Sequence, residues 1–158
     1  EVIGYGLSGD AHHITAPGGD GAFRCMQMAL NDAQITPDDV DYINAHGTSM
    51  PVGDIAEVRA IKHVFSEHAF DLNITSSKSM TGHLRGATGA VEAIIYILSL
   101  MHQVVTPTIN HADEDDDPDI DYKLNFTFNQ PQKREIRYAM SNNFGFGGHN
   151  ASLLFKKI

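Results

Sequence analysis

The chain has 158 residues, 42% of them apolar and 20% charged, so it has the length and composition of one domain folded around a core. No run of 18 apolar residues occurs, which argues against a membrane span, and the 11 Lys and Arg are too thinly spread to form the basic face of a nucleic-acid binder. A single cysteine, Cys25, excludes an internal disulfide framework and a Cys-rich zinc site, and one free thiol fits a reducing cytoplasm.

The chain begins at Glu1 and runs at once into Val-Ile-Gly-Tyr-Gly. That is neither a translation start nor the basic opening of a signal peptide, so the chain reads as a piece of something longer. Residues 2–5 suit a short strand, and Gly9-Asp10 and Pro17-Gly18-Gly19-Asp20-Gly21 a turn-rich loop. Over 22–33, Phe23, Met26, Ala29, Leu30 and Ala33 recur at helical spacing. Cys25 lies inside that helix with no turn or helix start to activate it, and reads as a buried, inert thiol. Residues 38–45 read as a loop entering a strand. A second helix is predicted to begin near Asp54, capped by it, with Ile55, Val58, Ile61, Val64 and Phe65 as its apolar stripe.

Residues 72–75 form another short strand, followed by the polar stretch 76–83. The segment 87–102 is helical, and its apolar residues leave almost no polar face. A helix apolar all round must be covered on every side, so this one is either central or packs against protein outside these 158 residues; the second reading is preferred. Seven carboxylates crowd into residues 113–121, and without them the −9 net charge nearly vanishes. They read as a solvated loop. The segments 124–128, 137–141 and 151–155 are strand-like, and strands alternating with helices predict an α/β layered domain.

Three glycine-punctuated loops hold the unusual residues: 44–54 with His46, 77–87 with Lys78 and His83, and 141–150 with Phe144-Gly145-Phe146-Gly147-Gly148. Loops at strand ends are where α/β sheets place their sites. Taken singly, each loop has a structural explanation. A loop histidine is commonly a satisfied structural group, and the Gly-rich loop precedes a strand, unlike a phosphate-binding loop. Nine histidines suggest metal, yet there is no HExxH and no Cys–His pair at ligand spacing, so no metal ligand is assigned.

Read together, HGTSMPVGD, KSMTGHLRGATGAVEAI and SNNFGFGGHN, in this order, resemble the C-terminal half of the elongating β-ketoacyl-acyl-carrier-protein synthases, in particular synthase II-like members of the thiolase superfamily. The resemblance runs from GYGLSGDAHHITAP to the terminal LLFKKI. It implies the C-terminal half of the thiolase-like layered α/β fold, a mixed sheet with helices on its faces, with 1–158 as one domain. It also implies a decarboxylating Claisen condensation in fatty-acid elongation, with malonyl-carrier protein and an acyl thioester as substrates.

On that resemblance His46 and His83 match the two family histidines, donors to an enolate oxygen. Lys78 matches the lysine that orders the site, and Glu92 the carboxylate that supports it. Phe146 matches the residue whose backbone N–H completes the oxyanion hole, with Gly145, Gly147 and Gly148 as its gating surroundings. Thr48 matches a hydrogen-bond partner of the phosphopantetheine arm. No cofactor is implied beyond that arm, which arrives on the acyl carrier protein. The other implied partners are the absent N-terminal half and a second copy in a homodimer.

Two features depart from the pattern. The nucleophilic cysteine of the family has no counterpart here, since Cys25 does not match its motif, and Met50 stands where a second threonine is usual. The isolated chain is therefore expected to be inactive. Four further readings stay open at this point. One is a non-catalytic relative such as a chain-length-factor-like partner, and another is a polyketide ketosynthase. The others are a free-standing binding module and a metal hydrolase.

Overall fold

The computed structural model describes residues 1–13, 17, 18 and 20–158. Parts of the turn-rich loop expected at 9–21, namely 14–16 and 19, lie outside these. The first strand, β1 (Val2–Gly9), runs past the predicted 2–5, and α1 (Asp20–Ala33) follows. Then come β2 (Tyr42–Asn44), α2 (Pro51–Phe65), β3 (Asn73–Thr75), α3 (Lys78–Thr81), α4 (Thr88–His102), β4 (Val104–Val105), β5 (Gln132–Lys133), β6 (Tyr138–Gly145) and β7 (His149–Lys156). Five strands form one mixed sheet in the order β1-β7-β6-β2-β3. β1, β7 and β6 pair antiparallel, whereas β6, β2 and β3 run parallel, as crossovers through helices require.

Alternating strand residues divide the core in two. Ile43, Met140 and Leu154 face α1 and α2, joining Met26, Leu30, Ile61 and Phe65. Their neighbours Tyr42, Ala139 and Phe155 face the other way and pack with Tyr96 and Leu100 of α4. The expected layered α/β arrangement is therefore present, with helices on both faces.

Helix α1 lies so close to β1 that Gly4 and Gly6 are obligatory: a Cβ at Gly6 would overlap the carbonyl oxygen of Cys25, and one at Gly4 that of Ala29. Because the obstruction is backbone, it cannot swing aside. Gly6→Ala is expected to cost about 3 kcal/mol of stability, the upper end for overpacking, read as a lowered denaturation midpoint.

Two predicted elements differ. Helix α2 begins at Pro51, ahead of Asp54, because proline lacks the N–H that a first turn leaves unpaired and its ring presets φ. Asp54 then sits inside the first turn and reaches back to the Thr48 N–H. The expected strand at 124–128 is reduced to two isolated bridges, Ile74↔Phe126 and Thr108↔Phe128. Its backbone divides its hydrogen bonds between Ile74 and Thr108, so no ladder grows along either neighbour. The short pair β4–β5 was not anticipated.

Helix α4 is apolar as expected, and its buried side holds polar groups beside Tyr96 and Leu100. Thr88, Glu92 and Ser99 are buried, while Ile94, Ile97, Leu98 and Met101 are 44–67% exposed. Nearby, Tyr5 and Leu7 of β1 are also about half exposed. The chain expressed alone is expected to bind a hydrophobic dye, and Ile94→Lys with Met101→Lys should remove most of that signal. Unchanged dye binding in the double variant would place the apolar surface elsewhere. No helix among the described residues is long and apolar enough to cross a membrane.

Candidate active site

At the C-terminal ends of parallel strands β2 and β3, the chain leaves the sheet as the loops carrying His46 and Lys78. Ser76 pins the two together: its hydroxyl donates to the Gly47 carbonyl at 2.7 Å. Gly47 takes φ +35°, and a Cβ there would stand 2.8 Å from that of Ser76, so the close approach needs glycine.

The His46 loop is held from beneath by α2. Glu57, 3% exposed, accepts the backbone N–H of His46 at 2.8 Å and of Gly47 at 3.0 Å, one on each carboxylate oxygen. Burial raises its carboxyl to about 7, against the pull of those N–H donors and of Asn142. One turn earlier, Asp54 accepts the N–H of Thr48, and burial raises its carboxyl too. Neither carboxylate was singled out as a site residue. The available signal was their i, i+3 spacing on one face of a helix directly after the histidine.

The His46 and His83 rings meet edge to face, centroids 5.4 Å apart and planes at 85°. Burial, then the positive charge of Lys78, push the imidazole of His46 down to about 3, so it is neutral at any physiological pH. Its Nδ1 is buried without a hydrogen-bond partner. On His83, Nδ1 accepts the Arg85 backbone N–H at 3.1 Å and faces the Thr88 hydroxyl at 3.0 Å. A neutral ring that accepts at Nδ1 carries its proton on Nε2, so His83 presents Nε2–H as a donor.

Lys78 opens the short helix α3 and is buried against Glu92 of α4, Nζ to Oε1 2.7 Å, with side chains 4% and 1% exposed. Ser77 donates to the same oxygen at 3.3 Å, and Asn143 to Oε2 at 3.0 Å. Lys78 thus stands as a fixed positive charge close to His46, one cause of that ring's neutrality.

An open cavity of about 810 Å³ adjoins these groups, lined by Thr48, Ser76, Lys78 and His83 and by the apolar Ile109, Tyr122, Phe126 and Phe128. Met50 is 64% exposed at the start of α2 and does not line it. The structure brings together His46, Lys78, His83, Glu92 and Thr48. It does not bring Phe146 to them: that side chain is 79% exposed at the tip of the β6–β7 turn, where Gly147 and Gly148 take φ +83° and +76°. The ring that approaches His46 is Phe144, at 6.0 Å. The predicted loop 141–150 is mostly strand, narrowed to a tight turn after Gly145.

Cys25 is fully buried beside the Ser152 hydroxyl, and burial lifts its thiol to about 11, which suits an inert core group.

Comparison with known proteins gives a consistent result. The family described as beta-ketoacyl synthase, C-terminal domain, matches residues 1–112. The 3-oxoacyl-[acyl-carrier-protein] synthase 2 of Staphylococcus aureus (strain COL) is 55% identical over 160 residues, covering 100% of this chain and 38% of that protein. The synthase 2 of Vibrio harveyi is 48% identical over 161 residues, again covering 100% and 38%. Among solved structures, a type II polyketide synthase acyl-carrier protein in complex with its ketosynthase bound to the hexaketide aligns with TM-score 0.92 and 39% identity, covering 99% of this chain and 38% of that one. A beta-ketoacyl synthase from Burkholderia phymatum STM815 aligns with TM-score 0.91 and 38% identity, covering 99% and 37%. The chain spans a little over a third of the length of these relatives.

Proposed function

Because the chain belongs to the beta-ketoacyl synthase C-terminal domain family, we propose that it is the part of a 3-oxoacyl-[acyl-carrier-protein] synthase that cleaves malonyl-carrier protein and stabilises the resulting enolate. The observation that carries this reading is the edge-to-face pair of a neutral His46 and a His83 with its proton on Nε2.

In the proposed reaction the C–CO2 bond of the malonyl thioester breaks and its electron pair flows toward the thioester oxygen. Two neutral imidazole N–H groups meet that charge as it develops. Donors held in place beforehand need no reorganisation, which is why such pairs stabilise oxyanions well. The α-carbon then attacks the acyl thioester on a cysteine supplied from outside these 158 residues, and the cysteine sulfur leaves as thiolate. Lys78 contributes charge: paired with Glu92, it adds to burial in opposing protonation of His46.

The proposed partner is the acyl carrier protein, whose phosphopantetheine arm would enter the cavity past Thr48. The exposed Phe146 turn then acts by its backbone N–H and by movement, since its side chain points to solvent.

The test is an assay of condensation between acyl- and malonyl-carrier protein by the complete protein beside the 158-residue chain. Activity in the complete protein alone supports the reading. Activity in neither favours a non-catalytic synthase relative. Turnover by the short chain would overturn the need for an external nucleophile.

A further inference from the structure

At the end of β6, Asn142 and Asn143 stand next to each other, and successive residues of a strand point to opposite faces of the sheet. Each meets a buried carboxylate from a different helix. On the α2 face, Asn142 directs its Nδ2 to Glu57 Oε1 at 3.3 Å. Its amide orientation is set from behind, because the Ser152 hydroxyl donates to Asn142 Oδ1 at 2.8 Å. On the α4 face, Asn143 donates from Nδ2 to Glu92 Oε2 at 3.0 Å. The two carboxylates in turn hold the two halves of the site. Glu57 takes the backbone N–H groups of His46 and Gly47, and Glu92 takes the ammonium of Lys78 and the hydroxyl of Ser77.

We propose that Asn142 and Asn143 are paired positioning residues that lock the His46 loop and the Lys78–His83 segment to a single strand, and through it to the β6–β7 turn. Neither touches substrate. Both act through a carboxylate, and this inference rests on the synthase reading of the site. The physical requirement is registration: two imidazole donors on separate loops stabilise one oxygen only if their separation is held to a fraction of an ångström. A strand whose adjacent side chains grip both loops supplies a common reference. Asn143 is half-buried, which leaves it open to substitution without emptying the core.

The sharpest variant is Asn143→Asp. It keeps the size of the side chain and replaces an N–H donor by a second carboxylate facing Glu92. In the complete protein, malonyl decarboxylation should lose about a hundredfold in kcat with this change and about tenfold with Asn143→Ala, with KM little altered. The Asp deficit should shrink as pH falls from about 8 to about 6, as one of the facing carboxyls takes a proton. A residue that only fills space would rank the two variants in the opposite order and show no such pH dependence, and that result would overturn the proposal.

A readout independent of turnover is the NMR amide resonances of His46 and Gly47. These should move in Asn142→Ser and stay in Asn143→Asp. Movement of these two resonances in Asn143→Asp, or no movement in Asn142→Ser, would overturn the paired assignment. If the wild-type protein itself does not decarboxylate, the synthase reading fails while the resonance pattern still decides the positioning role.

Discussion

Changing His83 to alanine in the complete protein is expected to lower decarboxylation of malonyl-carrier protein by about 10²–10³-fold, while transfer of the acyl group to the cysteine continues. The selectivity follows from where the His83 proton sits. With Nδ1 engaged by the Arg85 N–H and the Thr88 hydroxyl, Nε2–H is the free donor, and alanine removes it. Release of CO2 and the mass of the acyl-enzyme, measured on the same preparation, separate the two steps. Normal decarboxylation in the variant would remove His83 from the role given to it. His46→Ala should do similar damage to the rate, but its ring is largely buried against His83 and Phe144, so a stability loss accompanies it.

The largest stability effect is expected at Glu92. Replacing it with leucine leaves the Lys78 ammonium buried with no countercharge and strands the donors of Ser77 and Asn143. Breaking a buried pair from one side costs about 3–5 kcal/mol, and a chain of this size should lose roughly 10 °C in Tm. Replacing both partners, as Lys78→Met with Glu92→Leu, should recover much of that loss, because no uncompensated charge remains. Thermal melts of the two variants decide it. A double variant as unstable as the single one would mean that the pair is needed for packing rather than for charge. The double variant should still be catalytically weak, since the ammonium that stands close to His46 is gone.

The grouping of His46, Lys78, His83 and Glu92 was legible through the family resemblance of their motifs. The structure places His46 against His83 and Lys78 against Glu92, with Lys78 and His83 lining the cavity. The residues that were missed act over distance. Glu57 serves a loop ten residues back, and Asn142 meets Glu57 across 85 positions. Nothing in local periodicity marks such pairs. Phe146, matched for its backbone N–H, carries its side chain exposed at a turn where Gly147 and Gly148 take positive φ, and Phe144 is the ring beside His46.

By itself the sequence determined where the helices and most strands lie, that the sheet is layered by helices, and that 87–102 is apolar beyond what one covered face requires. Those properties depend on spacing along the chain, and hydrophobic period and turn chemistry report spacing directly. Only the tertiary structure decided that α4 buries Glu92 and leaves Ile94, Ile97, Leu98 and Met101 exposed. The reason is that Lys78 and Asn143 arrive on the sheet side, and a carboxylate is stable in the interior only beside such partners. It also decided the state of the two histidines, because burial of His46 and the Arg85 N–H at His83 depend on how separate loops close around one cavity.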